Sequence, residues 1–256
     1  MSETIRVQKA LADAGIASRR GADALVAAGR VTVNGAVAVT GQRVDPATDA
    51  LALDGRPVLP AGRRTYLAMH KPAGVTSTVN DRHAEQTVLD LVPAGLGGGR
   101  LYPVGRLDKD SEGLLLLTDD GDWTQHLLHP SHQVEREYAI GLRALLGPDQ
   151  AERLSAGIEL DEGVATLVSL RRASGAEARR LDGLDDTRPP LAWYLGILTQ
   201  GWKRQLRRMF ATVGAPVERL VRVRIGTLRL GDLAPGAVRE LSAAEREHLA
   251  SSGSGR

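Results

Sequence analysis

The 256-residue chain contains no cysteine. Disulfides, thiolate nucleophiles and cysteine-ligated zinc are therefore excluded, and the composition fits a reducing compartment. Aromatic residues make up only 3% of the chain. The core must then be aliphatic, and broad aromatic platforms for stacking successive bases are not expected. No apolar run approaches the roughly 18 residues that a membrane-spanning helix needs. The opening stretch MSETIRVQKALADAG also lacks the apolar centre of a secretory signal. A cytoplasmic location and no membrane partner are expected. An excess of one charge is absent too, because 33 Lys and Arg face 31 Asp and Glu.

What is present is an uneven distribution of that charge. Lys203, Arg204, Arg207, Arg208, Arg219, Arg222 and Arg224 crowd one stretch in which Glu218 is the single acid. A basic segment without alternating acids is a candidate phosphate-contacting surface; the plainer reading is a solvated charged face. With 42% hydrophobic and 25% charged residues, the chain reads as soluble and globular. Its length suits one large domain or two smaller ones.

The N-terminal pattern predicts a short helix over Ile5–Gly15, with Val7, Ala10, Leu11 and Ala14 on one face. A second helix is expected from the N-cap Ser18 to the stop at Gly29. VTVNGAVAV then predicts a hairpin turning at Asn34-Gly35. Arg19 and Arg20 fall in the first turn of the second helix, where the helix dipole disfavours cations; a bound phosphate would reverse that cost. GRPVLPAGRR, residues 55–64, reads as a linker. Beyond it, strands are expected at Tyr66–Pro72, Leu114–Thr118, EREYAIGL and Trp193–Thr199, with one more half-exposed strand over Val221–Leu230. Helices are expected after Thr87, over Gln205–Val213 and over Ser242–Ala250. Residues 155–188 read as short strands and loops.

The segment GRLDKDSEGLLLLTDDGD carries the sharpest question. Asp108 stands in a turn next to Arg106 and just before a run that must be buried. A partly desolvated carboxylate needs a cationic partner to stay ionised. Two readings remain open on the residues alone: a turn-capping, salt-bridged aspartate, or a reactive nucleophile or base. Asp119, Asp120 and Asp122 read as turn formers. Gly95–Gly99 lacks the Lys-Ser/Thr of a phosphate loop. His126, His129 and His132 are spaced by three, but Pro130 breaks a shared helix face and no fourth ligand accompanies them, so no metal site is expected.

Gly105–Gly121 resembles the signature of bacterial pseudouridine synthases of the small-subunit-A and large-subunit-B, E and F type. That pattern is Gly-Arg-Leu-Asp, three variable positions, then Gly-Leu-Leu and Thr-Asn-Asp-Gly; Asp119 here replaces the Asn. MHKPAGVTST, EREYAI and the stretch Arg204–Ser242 resemble three further motifs of that family, with Arg136 in place of a lysine. The N-terminal module is similar to the RNA-binding domain of ribosomal small-subunit protein four through Ala17–Arg20, Asp23, Gly29–Val31 and Val33–Gly35.

The resemblance implies an α+β protein: a small helix-helix-hairpin RNA-binding module over 1–60, and a catalytic domain over 61–250 with a mostly antiparallel mixed sheet flanked by helices. A disordered tail, 251–256, would follow. It implies isomerisation of uridine to pseudouridine in ribosomal RNA, or in a ribosomal precursor particle, by a monomer that uses no cofactor. The Val-Arg-Ile-Gly ending favours large-subunit RNA. Asp108 matches the essential aspartate, as nucleophile at the anomeric carbon or as base toward a ribose proton. Tyr138 matches the tyrosine that stacks on the flipped uracil, and Arg207 the basic residue that pairs with the aspartate. Leu220 would form an apolar wall, and Arg106 would contact phosphate or support the loop. Arg19, Arg20, Lys71, Arg204, Arg208, Arg222 and Arg224 would hold the RNA backbone. The competing readings are a small-subunit RNA target, a non-catalytic RNA-binding assembly protein, and a glycosidic hydrolase, which would need a second catalytic acid.

Overall fold

The computed structural model describes residues 4–59, 62–79, 85–96, 99–184 and 189–252. These form two compact units, the first built from Met1–Tyr66, Ala94–Tyr102 and Thr118–Gly121, the second from Leu67–Pro93, Pro103–Leu117 and Asp122–Arg256.

In the first unit a short strand β1 (Ile5–Arg6) leads into α1 (Val7–Asp13) and α2 (Arg19–Ala27). The expected helix start at Ile5 is corrected: Ile5 and Arg6 pair antiparallel with β4 (Arg43–Val44) instead. Gly15, at φ 76°, ends the first helix, and Ser18 caps the second by accepting from the Gly21 N–H at 3.1 Å. Strands β2 (Val31–Val33) and β3 (Ala36–Val37) form the hairpin. Asn34 and Gly35, at φ 52° and 82°, supply the two left-handed residues its tight turn requires. With β5 (Leu51–Leu53) and β6 (Arg56–Pro57) they make a sheet of order β3-β2-β5-β6. Val7, Leu11, Ala22, Val26, Val31, Val33, Ala38 and Val44 close a small aliphatic core.

Among the described residues the main sheet has nine strands: β7 (Tyr66–Lys71), β8 (Tyr102–Pro103), β9 (Glu112–Thr118), β10 (Arg136–Leu142), β13 (Ser169–Arg172), β14 (Ala192–Leu198), β15 (Arg219–Ile225), β16 (Leu228–Arg229) and β17 (Val238–Glu240). Between β10 and β13 lies a separate two-stranded ribbon, β11 (Ile158–Leu160) and β12 (Gly163–Ala165). The main order is β13-β14-β10-β15-β9-β7-β17. β10 runs antiparallel to β14 and β15, whereas β9 runs parallel to β15. All seven residues of β9 are buried.

Helices α3 (Gly121–Leu128), α4 (Pro148–Ala156), α5 (Gly175–Asp182), α6 (Gln205–Thr212) and α7 (Ala243–Ser251) complete the fold. Leu154 of α4 and Leu206, Met209 and Phe210 of α6 pack with Ile140, Leu142, Tyr194 and Leu198 of the sheet.

Three elements differ from expectation. Asp119-Asp120 leads into α3, a helix whose buried face is only Trp123 and Leu127, too few to register as periodicity. α5 lies inside the segment read as strands and loops; it is polar, held by the Ser174–Glu177 capping box, and buries only Leu181. The single strand expected over Val221–Leu230 is the hairpin of β15 and β16, reversed at Gly226 with φ 51°. Residue 251, expected to open a disordered tail, instead ends α7; residues 253–256 lie outside the described residues.

Gly113 decides where β9 begins. It faces Arg222 across the parallel pairing, at φ 104°. A Cβ there would lie 2.6 Å from the Arg222 nitrogen and closer still to its carbonyl oxygen. Only glycine meets both demands. Gly113→Ala is therefore expected to cost about 3 kcal/mol through combined overpacking and backbone strain, read as a lowered midpoint in urea unfolding.

Candidate active site

Leu107 to Ser111 make a tight turn immediately before β9, and all five of its carbonyls accept hydrogen bonds. Ser77 Oγ donates to Leu107 O at 2.9 Å, and in turn accepts from the Leu107 N–H. The Ser111 N–H donates to Asp108 O at 3.0 Å, and the Gly74 N–H to Lys109 O at 2.7 Å. Arg207 Nη2 donates to Asp110 O at 2.9 Å. Lys71 Nζ donates to Ser111 O at 2.7 Å and Lys109 O at 3.3 Å, with a third bond to Pro72 O. Every main-chain oxygen of the turn is thus satisfied, as burial demands. The result is a fixed pedestal for one side chain, Asp108.

Asp108 lines a cleft of about 620 Å³ together with Thr76, Ser77, Arg106, Lys109, Asp110, Lys203 and Arg204. Charges around it are sorted by pairing. Glu112 and Arg219 form a buried two-bond pair, both contacts at 2.9 Å. Asp110 takes two bonds from Arg204, at 2.9 and 3.0 Å, and lies 3.4 Å from Arg207 Nε. Hydrogen bonds and attraction from these arginines hold the Asp110 carboxyl below the usual range, although its partial burial, the largest single influence, acts the other way. Arg106, Lys109 and Lys203 are exposed at the cleft and make no ion pair among the described residues.

Several expectations are corrected by this geometry. Arg207 does not pair directly with Asp108; its guanidinium is fixed on Asp110 and on Val217 O. Arg204 Nη1 comes nearest, 3.8 Å from Asp108 Oδ2. Lys71 is fully buried with three carbonyl partners, so it cannot reach a phosphate. Arg222 is also buried, bonded to Leu114 O and to Tyr138 Oη. Leu220 belongs to the aliphatic core and is not among the residues lining the cleft. Tyr138 is half-buried against that same core and does not line the cleft either. Arg208 bonds Glu162, and Arg224 bonds Glu135 and Glu137, which leaves both partly neutralised. Arg19 and Arg20 are exposed, with no ion pair among the described residues.

Sequence reasoning missed Ser77, Asp110 and Lys109. Ser77 and Lys71 belong to one motif, MHKPAGVTST, whose clustering of small and basic residues was the available signal. Lys109 carried none. The three histidines come together as tilted rings, His126 and His132 centred 4.2 Å apart. No group of three His, Asp or Glu among the described residues is placed to hold a metal ion.

Residues 65–212 match the family described as RNA pseudouridylate synthase, and residues 5–49 match the S4 domain. The chain belongs to the RNA pseudouridylate synthase family. A Mycobacterium leprae protein named as an uncharacterized RNA pseudouridine synthase is 39% identical over 239 residues, covering 93% of this chain and 89% of its own. Ribosomal large subunit pseudouridine synthase B of Pseudomonas aeruginosa is 37% identical, covering 95% of this chain and 61% of its own. Its Salmonella typhimurium namesake is 36% identical, covering 97% and 82%. The crystal structure of a pseudouridylate synthase superposes with a TM-score of 0.63 at 24% identity, covering 96% of this chain and 99% of that one, which shows a shared fold. Membership makes the chain an RNA-modifying enzyme with an RNA-binding S4 domain.

Burial pushes Lys71 down to about 8, against the pull of Glu112, Asp110 and Asp108. The folded state therefore holds this proton less tightly than the unfolded chain does. Stability attributable to Lys71 rises with pH between about 8 and the ordinary lysine value of 10.5, and is at its lowest below 8. Urea unfolding across that window is expected to show the rise in the wild type relative to Lys71→Met; parallel pH profiles would contradict it.

Proposed function

We propose that this enzyme converts uridine to pseudouridine in large-subunit ribosomal RNA, with Asp108 as the catalytic carboxylate. The observation that carries the reading is the Asp108 turn: a carboxylate on a fully bonded pedestal, facing a cleft rimmed by unpaired cations. The large-subunit target is supported by the relatives that bear that name. Residues 1–60 would bind RNA, with Arg19 and Arg20 at the start of α2 as phosphate contacts. Residues 61–250 would do the chemistry.

A uridine in structured RNA must first be swung out of its stack, at a cost of a few kcal/mol. Contacts from Arg106, Lys109 and Lys203 to the flanking phosphates offset that cost. Asp108 then either bonds to the anomeric carbon or removes a ribose proton. The glycosidic C1′–N1 bond breaks, the freed base turns, C5 bonds to C1′, the C5 proton leaves and N1 takes up a proton. Substrate and product have the same atoms and oxidation level, so the reaction itself calls for no redox partner or group donor. The enzyme is placed in the cytoplasm, acting as a monomer on RNA or on a precursor particle.

The test is a map of pseudouridine across ribosomal RNA in cells with the gene, without it, and with the gene restored. Loss of a large-subunit site, recovered by the wild type and not by Asp108→Asn, is expected. An unchanged map would favour a non-catalytic RNA-binding role, and a lost small-subunit site would move the target.

A further inference from the structure

Four charged side chains meet at the Asp108 turn, and their pairing is lopsided. Arg204 and both acids, Asp108 and Asp110, line the same cleft. Arg204 donates to Asp110 twice, at 2.9 and 3.0 Å, and stays 3.8 Å from Asp108. Burial does not make that choice. The Asp108 side chain is 34% exposed and that of Asp110 47%, so both acids are open to solvent and to the guanidinium.

The two arginines are held by different means. Arg207 donates to two main-chain oxygens, Val217 O and Asp110 O, both at 2.9 Å. Those bonds survive any change to the Asp110 side chain. Arg204 has no such tie. It stands at the N-cap of α6 with φ 51°, a left-handed conformation uncommon outside glycine, and its side chain bonds only to the Asp110 carboxylate. Without that carboxylate, the acid next in reach of Arg204 is Asp108.

Both routes open to Asp108 discharge it. Bonding to C1′ makes the carboxylate a neutral ester, as the C1′–N1 electron pair leaves with the base. Taking a ribose proton makes it a neutral acid as the same bond breaks. A guanidinium bonded directly to Asp108 would therefore stabilise the charged ground state more than the transition state, and raise the barrier. It would also occupy the oxygen lone pairs that must attack. A cation held farther off favours ionisation with neither penalty. We infer that Asp110 is a positioning residue for Asp108: its carboxylate detains Arg204 and keeps the reactive carboxylate uncapped. This deepens the proposed role of Asp108 and rests on it. Closure of Arg204 from 3.8 Å to about 2.8 Å, at an effective dielectric of about 20, corresponds to about tenfold in rate.

Single-turnover formation of the C-linked nucleoside in a large-subunit RNA transcript, read by mass spectrometry at saturating enzyme, provides the test. Wild type, Asp108→Asn, Asp110→Ala and the double variant Asp110→Ala/Arg204→Gln are compared, with RNA affinity measured alongside. Asp110→Ala is expected to be about tenfold slower, with RNA bound as tightly or more tightly, because a negative charge has left a cleft that receives phosphates. Adding Arg204→Gln should recover several-fold of the lost rate, an opposite-signed coupling that simple damage to the turn does not produce. An Asp110→Ala enzyme as fast as wild type would overturn the inference. So would a double variant no faster than Asp110→Ala, which would leave Asp110 a structural tie or a reacting group in its own right. Wild type inactive on the transcript, or Asp108→Asn as fast as wild type, would instead overturn the functional reading, and this inference with it. If Asp110→Ala fails to fold, Asp110→Asn, which removes the charge and keeps the shape, carries the same comparison.

Discussion

A single turn of five residues, bonded at every carbonyl, is the constraint around which the second unit is arranged. Ser77 and Gly74 reach it from the segment after β7, Lys71 from the end of β7, and Arg207 from α6. These donors come from separate parts of the chain, so the turn forms only when the sheet and α6 have docked. The buried strand β9 follows at once because it is the anchor: a run of leucines with no freedom to move fixes the direction from which Asp108 enters the cleft. Preorganisation of this kind lets a reactive group act without rearrangement during the reaction.

Charge is organised as strictly as the backbone. Asp110, two residues after Asp108, occupies both nearby arginines of α6 and its N-terminal flank. Glu112, two further on, satisfies Arg219. Of these three acids at alternate positions, Asp110 and Glu112 hold close arginine partners, and Asp108 is the one left with only a longer contact, to Arg204 at 3.8 Å. That contact permits ionisation without capping the carboxylate. Lys71 beneath the turn contributes a charge as well as hydrogen bonds, and its burial is the cost of the tie.

Much of this was legible in the residues. Asn34-Gly35 named its hairpin because only residues tolerant of positive φ fit that turn. Ser18, Gly15 and the apolar spacing located α1 and α2 to within two residues. Gly-Arg-Leu-Asp before four leucines marked the turn and its strand. Illegible features were those set by tertiary contact. Alternation along VRVRIGTLRLG suggested a shared outer face for Arg222 and Arg224, and a bulge in the partner pairing sends them apart. Lys71 looked like a surface cation because nothing local reports three carbonyls converging from elsewhere. Arg207 looked like the partner of Asp108, yet Asp110 intercepts it through a backbone and a side-chain contact that spacing alone does not encode.

The most direct measurement is a crystal structure of the enzyme bound to an RNA that carries 5-fluorouridine at the target position. The account predicts an Asp108 carboxylate oxygen in contact with, or bonded to, the ribose of that nucleotide, with residues 107–111 holding the hydrogen bonds described above. A target ribose seated away from Asp108, or a turn rebuilt on other partners, would contradict it.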